Sequence, residues 1–516
     1  MHRNASLGAA AAVMALACAT SASAAVQPAV TIHSTGPAPS VPAHVGKAAK
    51  KAPVAGVRPA PQNPGMAANP SSNVHNDTWM SDNYSRLSGP LGRGLVTGST
   101  SIGRTCITLT FDRKGRLLGS CTNLGDGPGL YLIDPVTLDT LAFKQLPFVP
   151  PPAGISPALN TTGGAYFYLD DKDRAVVATA DRRIMVVAET HGTSGFGFKT
   201  VKTYDPSPCL QPDERMPSTL PDYRGNLWFV GRQNGTVGVV DTKTGKCHSI
   251  VLHEEIENSF AVARDGVYVV SDKANYKFAL RAGVPHRVWR TAYANIGIKK
   301  PGQINAGSGT TPTLINPAGG DTPKYDAITD NADPMNVVVM RAKDGRRVCS
   351  VPVFAKGASA TENSLSSVGN RIYVENNYGY DLQLFNDVIA GYVPLGGDLN
   401  RVSSPGIARV DIAANGRSCT KRWTNDGVRA ASVVPKADSA NGLLYAYENA
   451  QDPAGADPWN WVALDLDTGR TVWKQRAGAG GPFNNHYAGI ALGRAPGGKP
   501  TLYLGGVQGI MTLHDK

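Results

Sequence analysis

Apolar and polar residues alternate along this chain in short runs that end at turns. Cys106-Ile-Thr-Leu-Thr and Leu117-Leu-Gly-Ser-Cys121 flank Phe111-Asp-Arg-Lys-Gly-Arg116, which reads as a hairpin turn. Residues 487–492, 501–505 and 510–513 form a last group of three such runs. Long amphipathic helical stretches are scarce, so the pattern predicts an all-β fold.

The turns recur. Asp134-Pro-Val-Thr-Leu138, Asp241-Thr-Lys-Thr-Gly245, Lys343-Asp344-Gly345, Ala414-Asn415-Gly416 and Asp465-Leu-Asp-Thr-Gly469 share Asp, Thr and Gly chemistry. Gly416 and Gly469 lie 53 residues apart, and the earlier intervals of 107 and 100 are about double that. Degenerate turns fall midway, at His191-Gly-Thr-Ser-Gly195 and Ala282-Gly-Val-Pro285. A period near 50 with four short strands per unit predicts an eight-bladed β-propeller of four-stranded antiparallel blades, with seven blades as the alternative count. The last group supplies three strands, so its fourth is expected from residues 79–104, closing the ring and removing open sheet edges.

Composition changes the picture at the N-terminus. His2 and Arg3 precede an apolar, Ala-rich stretch, and Ala22-Ser23-Ala24 is a small-x-small cleavage signal, so residues 1–24 read as a signal peptide. Lipid anchoring through Cys18, after Leu16-Ala17, is the competing reading. Either one makes the protein secreted or periplasmic. Residues 25–72 are dense in Ala, Pro, Ser and Gly, hold no acid, and read as a disordered linker ahead of a propeller over 73–516. Residues 1–72 carry five Lys/Arg, which leaves 46 basic against 40 acidic residues in the body. No basic run occurs there, which argues against a nucleic-acid partner. No apolar stretch after the N-terminus is long enough to span a membrane as a helix.

Six cysteines remain beyond Cys18. The hairpin centred at Arg113-Lys114 sets Cys106 opposite Cys121, and a bulge would relieve the wide spacing of a hydrogen-bonded pair. Cys209–Cys247 and Cys349–Cys419 are the simplest remaining pairing among those that six thiols allow. No C-x-x-C-H is present, so c-type haem is not expected.

Trp459-Asn-Trp-Val-Ala-Leu-Asp-Leu-Asp-Thr-Gly-Arg-Thr-Val-Trp473-Lys resembles the repeat of the pyrroloquinoline-quinone (PQQ)-type propellers. Trp79-Met-Ser-Asp-Asn-Tyr-Ser-Arg86 is similar to the opening segment of such domains. The superfamily includes quinone-dependent alcohol dehydrogenases and envelope-assembly propellers without cofactor. The adjacent cysteines common in the alcohol-oxidising members are missing from this chain.

Polar residues gather on one predicted face. Loops leading into the innermost strands contain Glu257-Asn-Ser259, Gly309-Thr-Thr311, Glu362-Asn-Ser364, Arg429 and Asn484-Asn-His486. Loops between second and third strands add Asp330-Asn-Ala-Asp333, Glu375-Asn-Asn377 and Glu448-Asn449, and the insertion 378–406 leaves from the same face as a lid. Glu257, Asp330, Asp333, Glu362, Asn363 and Glu375 form an oxygen-rich set suited to calcium. The same residue types also make turns by bonding their own backbone. His486 is the acid/base candidate and Arg429 the anion clamp. Trp459, Trp461 and Trp473 read as blade packing.

Three functions stay open. One is a monomeric exported propeller that binds a small polar ligand, with calcium, at the channel mouth and acts on it as a metal-assisted hydrolase or lyase. A second is a non-catalytic scaffold for cell-envelope proteins. The third is a PQQ-dependent oxidoreductase.

Overall fold

The computed structural model describes residues 26–123, 127–150, 163–193, 195–380, 403–494 and 498–516. The targeting segment, Cys18 and most of the insertion 378–406 lie outside them. Eight antiparallel sheets follow one another along the chain and close into an eight-bladed propeller. The innermost strands of blades 1 to 8 are Thr105–Phe111, Phe167–Leu169, Thr219–Pro221, Ala261–Ala263, Thr313–Ile315, Ser366–Val368, Lys436–Asp438 and Ile490–Arg494. Blade 8 has three strands from the C-terminal side. Its outermost strand is Val96–Ser101, paired antiparallel with Gly509–His514.

The repeated turns join third to fourth strands, and their chemistry is local. Asp241 Oδ1 accepts from the N–H groups of Lys243 at 2.8 Å and Thr244 at 3.2 Å. Asp465 Oδ1 does the same for Asp467 and Thr468. Gly245 and Gly469 close these turns at φ of 76° and 71°, in the left-handed region that glycine adopts without a Cβ penalty. The degenerate turns at 191–195 and 282–285 occupy the matching place in blades 2 and 4. Outer-strand tryptophans then lock blade to blade. Trp289 lies against Gly345 of the next blade and Trp423 against Gly469, where any Cβ would meet the indole under 3 Å. Trp459, Trp461 and Trp473 are fully buried in blade 7.

All three disulfides match the expected pairing. Cys106 and Cys121 face each other with Cα atoms 3.9 Å apart, and the register shifts between Cys106 and Thr108. That bulge changes the pairing that a simple hairpin would impose. Cys349–Cys419 ties the outer strands of blades 5 and 6.

The stretch 26–72, expected to be a disordered linker, is instead laid along the blades. His44–Gly46 adds a strand to the outer edge of blade 7, and Gln27 bridges Thr140 on the outer strand of blade 1. Ile32 and Met66 are buried. Few apolar residues are needed, because the exposed outer strands already offer unpaired backbone groups to any extended chain.

Residues 71–84 then fill the propeller axis. Carbonyls of Ser72, Thr78, Trp79, Ser81 and Asp82 accept N–H groups from Leu169, Val262, Leu314, Ser367 and Ala437, all on innermost strands. Thr110 Oγ1 donates to Ser71 O, and Leu492 N–H donates to the Tyr84 hydroxyl. One segment therefore bonds the inner edges of blades 1, 2 and 4 through 8.

Candidate functional site

The plug floors a small axial chamber of about 60 Å³. Its lining includes His75 from the plug, Tyr166, Glu257, Glu362, Ser364 and His486. Glu257 and Glu362 hold the same place in the leading loops of blades 4 and 6. The intervening blade has Gly309 there, and a Cβ on it would lie 2.6 Å from Glu362 Cα and 2.8 Å from Glu362 Cδ. The missing side chain lets the two carboxyls meet. Burial pushes both up, and each feels the other, with Glu362 driven well above the carboxylate range by burial and by Glu257. Arg232 acts in the opposite sense on both. The backbone N–H of Ile304 eases Glu362, and no other group among the described residues donates to its oxygens when both acids are ionised. Sharing one proton would make the contact a hydrogen bond.

The two Glu-Asn-Ser triplets do repeat-level structural work as well. Asn258 Nδ2 donates to Gly309 O at 2.6 Å, and Asn363 Nδ2 donates to Val433 O at 3.0 Å, each on the next blade's leading loop. Tyr166 donates to Asn258 Oδ1 at 2.9 Å.

His75, set into the chamber floor, and Asp82, buried behind it, were missed by sequence reasoning. His75 Nδ1 lies 3.0 Å from Asp82 Oδ2, and Nε2 lies 3.4 Å from Ser364 Oγ. An ionised carboxylate only accepts, so Nδ1 carries a proton; in the neutral imidazole Nε2 then accepts from the Ser364 hydroxyl. The buried Lys436 ammonium donates to Asp82, Asn76 Oδ1 and Val74 O. The signal was present in Trp79–Arg86, but that segment read as an opening motif and not as an axial plug.

The other expected site residues divide. His486 lines the chamber, and its Nδ1 sits 3.0 Å from the Tyr380 hydroxyl. Glu375 is buried behind Asn363; its Oε1 accepts from Thr361 Oγ1 at 2.5 Å and Asn363 Nδ2 at 2.8 Å. Burial pushes Glu375 up to about 8. Asp330 is taken up by its own turn, accepting from Asn336 N and Nδ2 at 2.8 Å each. Asp333 accepts from Gly357 N. Lys300 lies near both and donates to Ala332 O and Ser359 O, its pKa lowered by burial. Arg429 is buried in the loop leading to blade 7 and is not part of the chamber lining. The six oxygen donors therefore do not converge; Asp330 serves its own turn and Asp333 a neighbouring loop, as short polar side chains next to tight backbone do. Among the described residues no three His, Cys, Asp or Glu side chains come together as a metal site.

No family model matches the chain. An uncharacterized protein of Archaeoglobus fulgidus is 27% identical over 308 residues, 54% of this chain and 57% of that one. The chain thus spans just over half the length of the curated relative it matches. Quinohemoprotein alcohol dehydrogenase from Comamonas testosteroni superposes with a TM-score of 0.55 at 10% identity, over 88% of this chain and 81% of that one. A europium-containing methanol dehydrogenase gives 0.51 at 9% identity, over 86% and 98%. At these identities the likeness is one of fold, and the PQQ-repeat resemblance of residues 459–474 holds at that level.

Proposed function

We propose that this is an exported propeller whose axial chamber binds a hard cation, calcium first, together with a small polar ligand, and performs acid–base chemistry on that ligand. The observation that carries the reading is the Glu257–Glu362 contact: two buried carboxyls face each other, and beyond the backbone N–H of Ile304 nothing among the described residues donates to Glu362 when both acids are ionised. A divalent cation between them would replace repulsion with coordination, the remaining ligands being amide, hydroxyl or carbonyl oxygens. When bound, such an ion polarises a carbonyl or water. The chain's own groups do the rest. Asp82 fixes the His75 tautomer, Nε2 of His75 takes or returns a proton at Ser364 Oγ, and His486 is held by Tyr380 on the same chamber. Three disulfides support export into an oxidising compartment.

A quinone reading has the fold on its side and the volume against it. The chamber of about 60 Å³ is far below the ~300 Å³ at which pockets for drug-sized ligands begin. No step is therefore assigned to a quinone.

Thermal unfolding of the full mature chain with added calcium tests the proposal. Calcium should raise the midpoint of the wild type and leave Glu362→Gln unmoved. An equal response in both, or none in either, removes the cation from the chamber.

A further inference from the structure

A second concavity of about 390 Å³ opens on the opposite side of the plug, within the range of small-molecule sites. Its floor is plug residues Asp77, Trp79, Ser81 and Asn83, and its walls come from the 58–70 wrap and from blades 5 and 6. Two arginines, Arg58 and Arg86, line this cleft. Both are exposed, and neither has an ion-pair partner among the described residues. Arg58 is placed by its neighbour: its Cδ occupies the spot where a Cβ on Gly319 would stand, at 2.3 Å, and Gly319 has φ of 76°.

The floor supplies donors. Asn83 is only 8% exposed; its Oδ1 accepts from Ser439 N–H, while its Nδ2 has no partner among the described residues and borders the cleft. Ser367 is also 8% exposed, gives its N–H to Ser81 O, and presents a hydroxyl that makes no other bond among the described residues. The one acid, Asp77, is already occupied. Its oxygens accept from Trp79 N–H, Ser81 N–H and the Ser81 hydroxyl. Burial pushes Asp77 up to about 6. Pro59, Ala60, Pro61, Leu314 and Pro317 give the wall an apolar stretch, beside the amides of Gln62, Asn69 and Asn316.

We infer that this cleft binds a small molecule carrying a carboxylate or phosphate on a flat apolar body, the anionic group between Arg58, Arg86, Asn83 and Ser367 and the body against the prolines and Leu314. Guanidinium groups with nothing else to pair suit oxygen anions, whose bidentate geometry they match. The inference does not rest on the axial chamber.

Calorimetric titration of the full mature chain with benzoate, phenyl phosphate and inorganic phosphate tests it. Benzoate or phenyl phosphate should bind saturably, and inorganic phosphate more weakly for want of the apolar body. The better of the first two identifies the anionic group. Arg58→Ala with Arg86→Ala should weaken binding about tenfold or more, since a lost charge-assisted bond of ~1.5 kcal/mol corresponds to that factor. Both residues are exposed, so the unfolding midpoint should hold. Ser367→Ala should weaken binding about threefold, and Glu362→Gln should leave it unchanged. Absence of saturable binding by all three anions, tighter binding of benzylamine, or indifference to the double arginine variant would overturn the inference.

Discussion

His75 and Asp82 hold each other at 3.0 Å inside the propeller axis, and the Lys436 ammonium comes to the same carboxylate from blade 7. Asp82 and Lys436 are both fully buried. Each charge is tolerated because the other is present. Asp82→Asn should therefore cost ~3–5 kcal/mol, the range for stranding a buried partner charge. Pairing it with Lys436→Met should recover most of that loss, because the uncompensated ammonium goes with it. His75→Ala should cost less, ~1–2 kcal/mol. Urea denaturation of the four proteins reads these values, and a double variant no better than Asp82→Asn would show that the pair is not the reason.

Three buried carboxyls should each lose their contribution to stability as pH rises from about 4 to about 8. Burial pushes Glu375 up to about 8, Asp326 up to about 7 and Asp438 up to about 6. A carboxyl with a raised folded pKa binds its proton more tightly in the native state. Its contribution is full below the unfolded pKa and is lost as pH climbs through the folded one. Glu375→Gln should flatten the upper part of this profile and raise the midpoint at pH 8 by ~2–4 °C. Midpoints of both proteins measured across that pH window check the sign.

Gly309→Ala should destabilise the protein by ~1–3 kcal/mol, as overpacking does. The new methyl would meet Thr361 O at 2.3 Å and Glu362 Cα at 2.6 Å, both backbone atoms that cannot swing away. Because Glu362 must shift, the variant should also show less of the calcium response proposed for the wild type. A variant with unchanged stability and response would mean that the carboxyl contact does not depend on the gap in blade 5.

Cys349–Cys419 closes a loop of 70 residues, against 38 for Cys209–Cys247 and 15 for Cys106–Cys121. Loop entropy assigns them ~4, ~4 and ~3 kcal/mol in that order. Replacing Cys349 and Cys419 together by Ala should lower the urea midpoint at least as much as either other pair. Equal losses from all three would remove loop length as the governing quantity.

The fold was legible because its signals are local. An Asp side chain capping the next turn, followed by a left-handed Gly, needs only five consecutive residues, and Asp241–Gly245 and Asp465–Gly469 both satisfy it. The Cys106–Cys121 pairing also follows from one hairpin and its bulge. The site was legible in part. Glu257, Glu362 and His486 meet because equivalent loops of a ring must open on one face. Asp330 has the same residue chemistry but spends it on its own turn, and Asp333 spends its on Gly357 of a neighbouring loop, which composition does not reveal. His75 and Asp82 escaped notice because their meaning lies in Lys436, which is 354 residues from Asp82 in sequence. The wrap over 26–72 escaped because its bonds join backbone groups of the stretch to blade edges and to side chains such as Asp139 and Asp452, which lie far away in sequence.

The ring is sealed twice by the same upstream stretch of chain. Val96–Ser101 completes blade 8, and the Tyr84 hydroxyl accepts from Leu492, 408 residues away. A ribosome delivers these sealing pieces first and their partners last. The earliest part of the body must wait, unpaired, for most of the sheets to emerge, and such distant pairings form slowly. That delay would keep the chain threadable for as long as the proposed export requires.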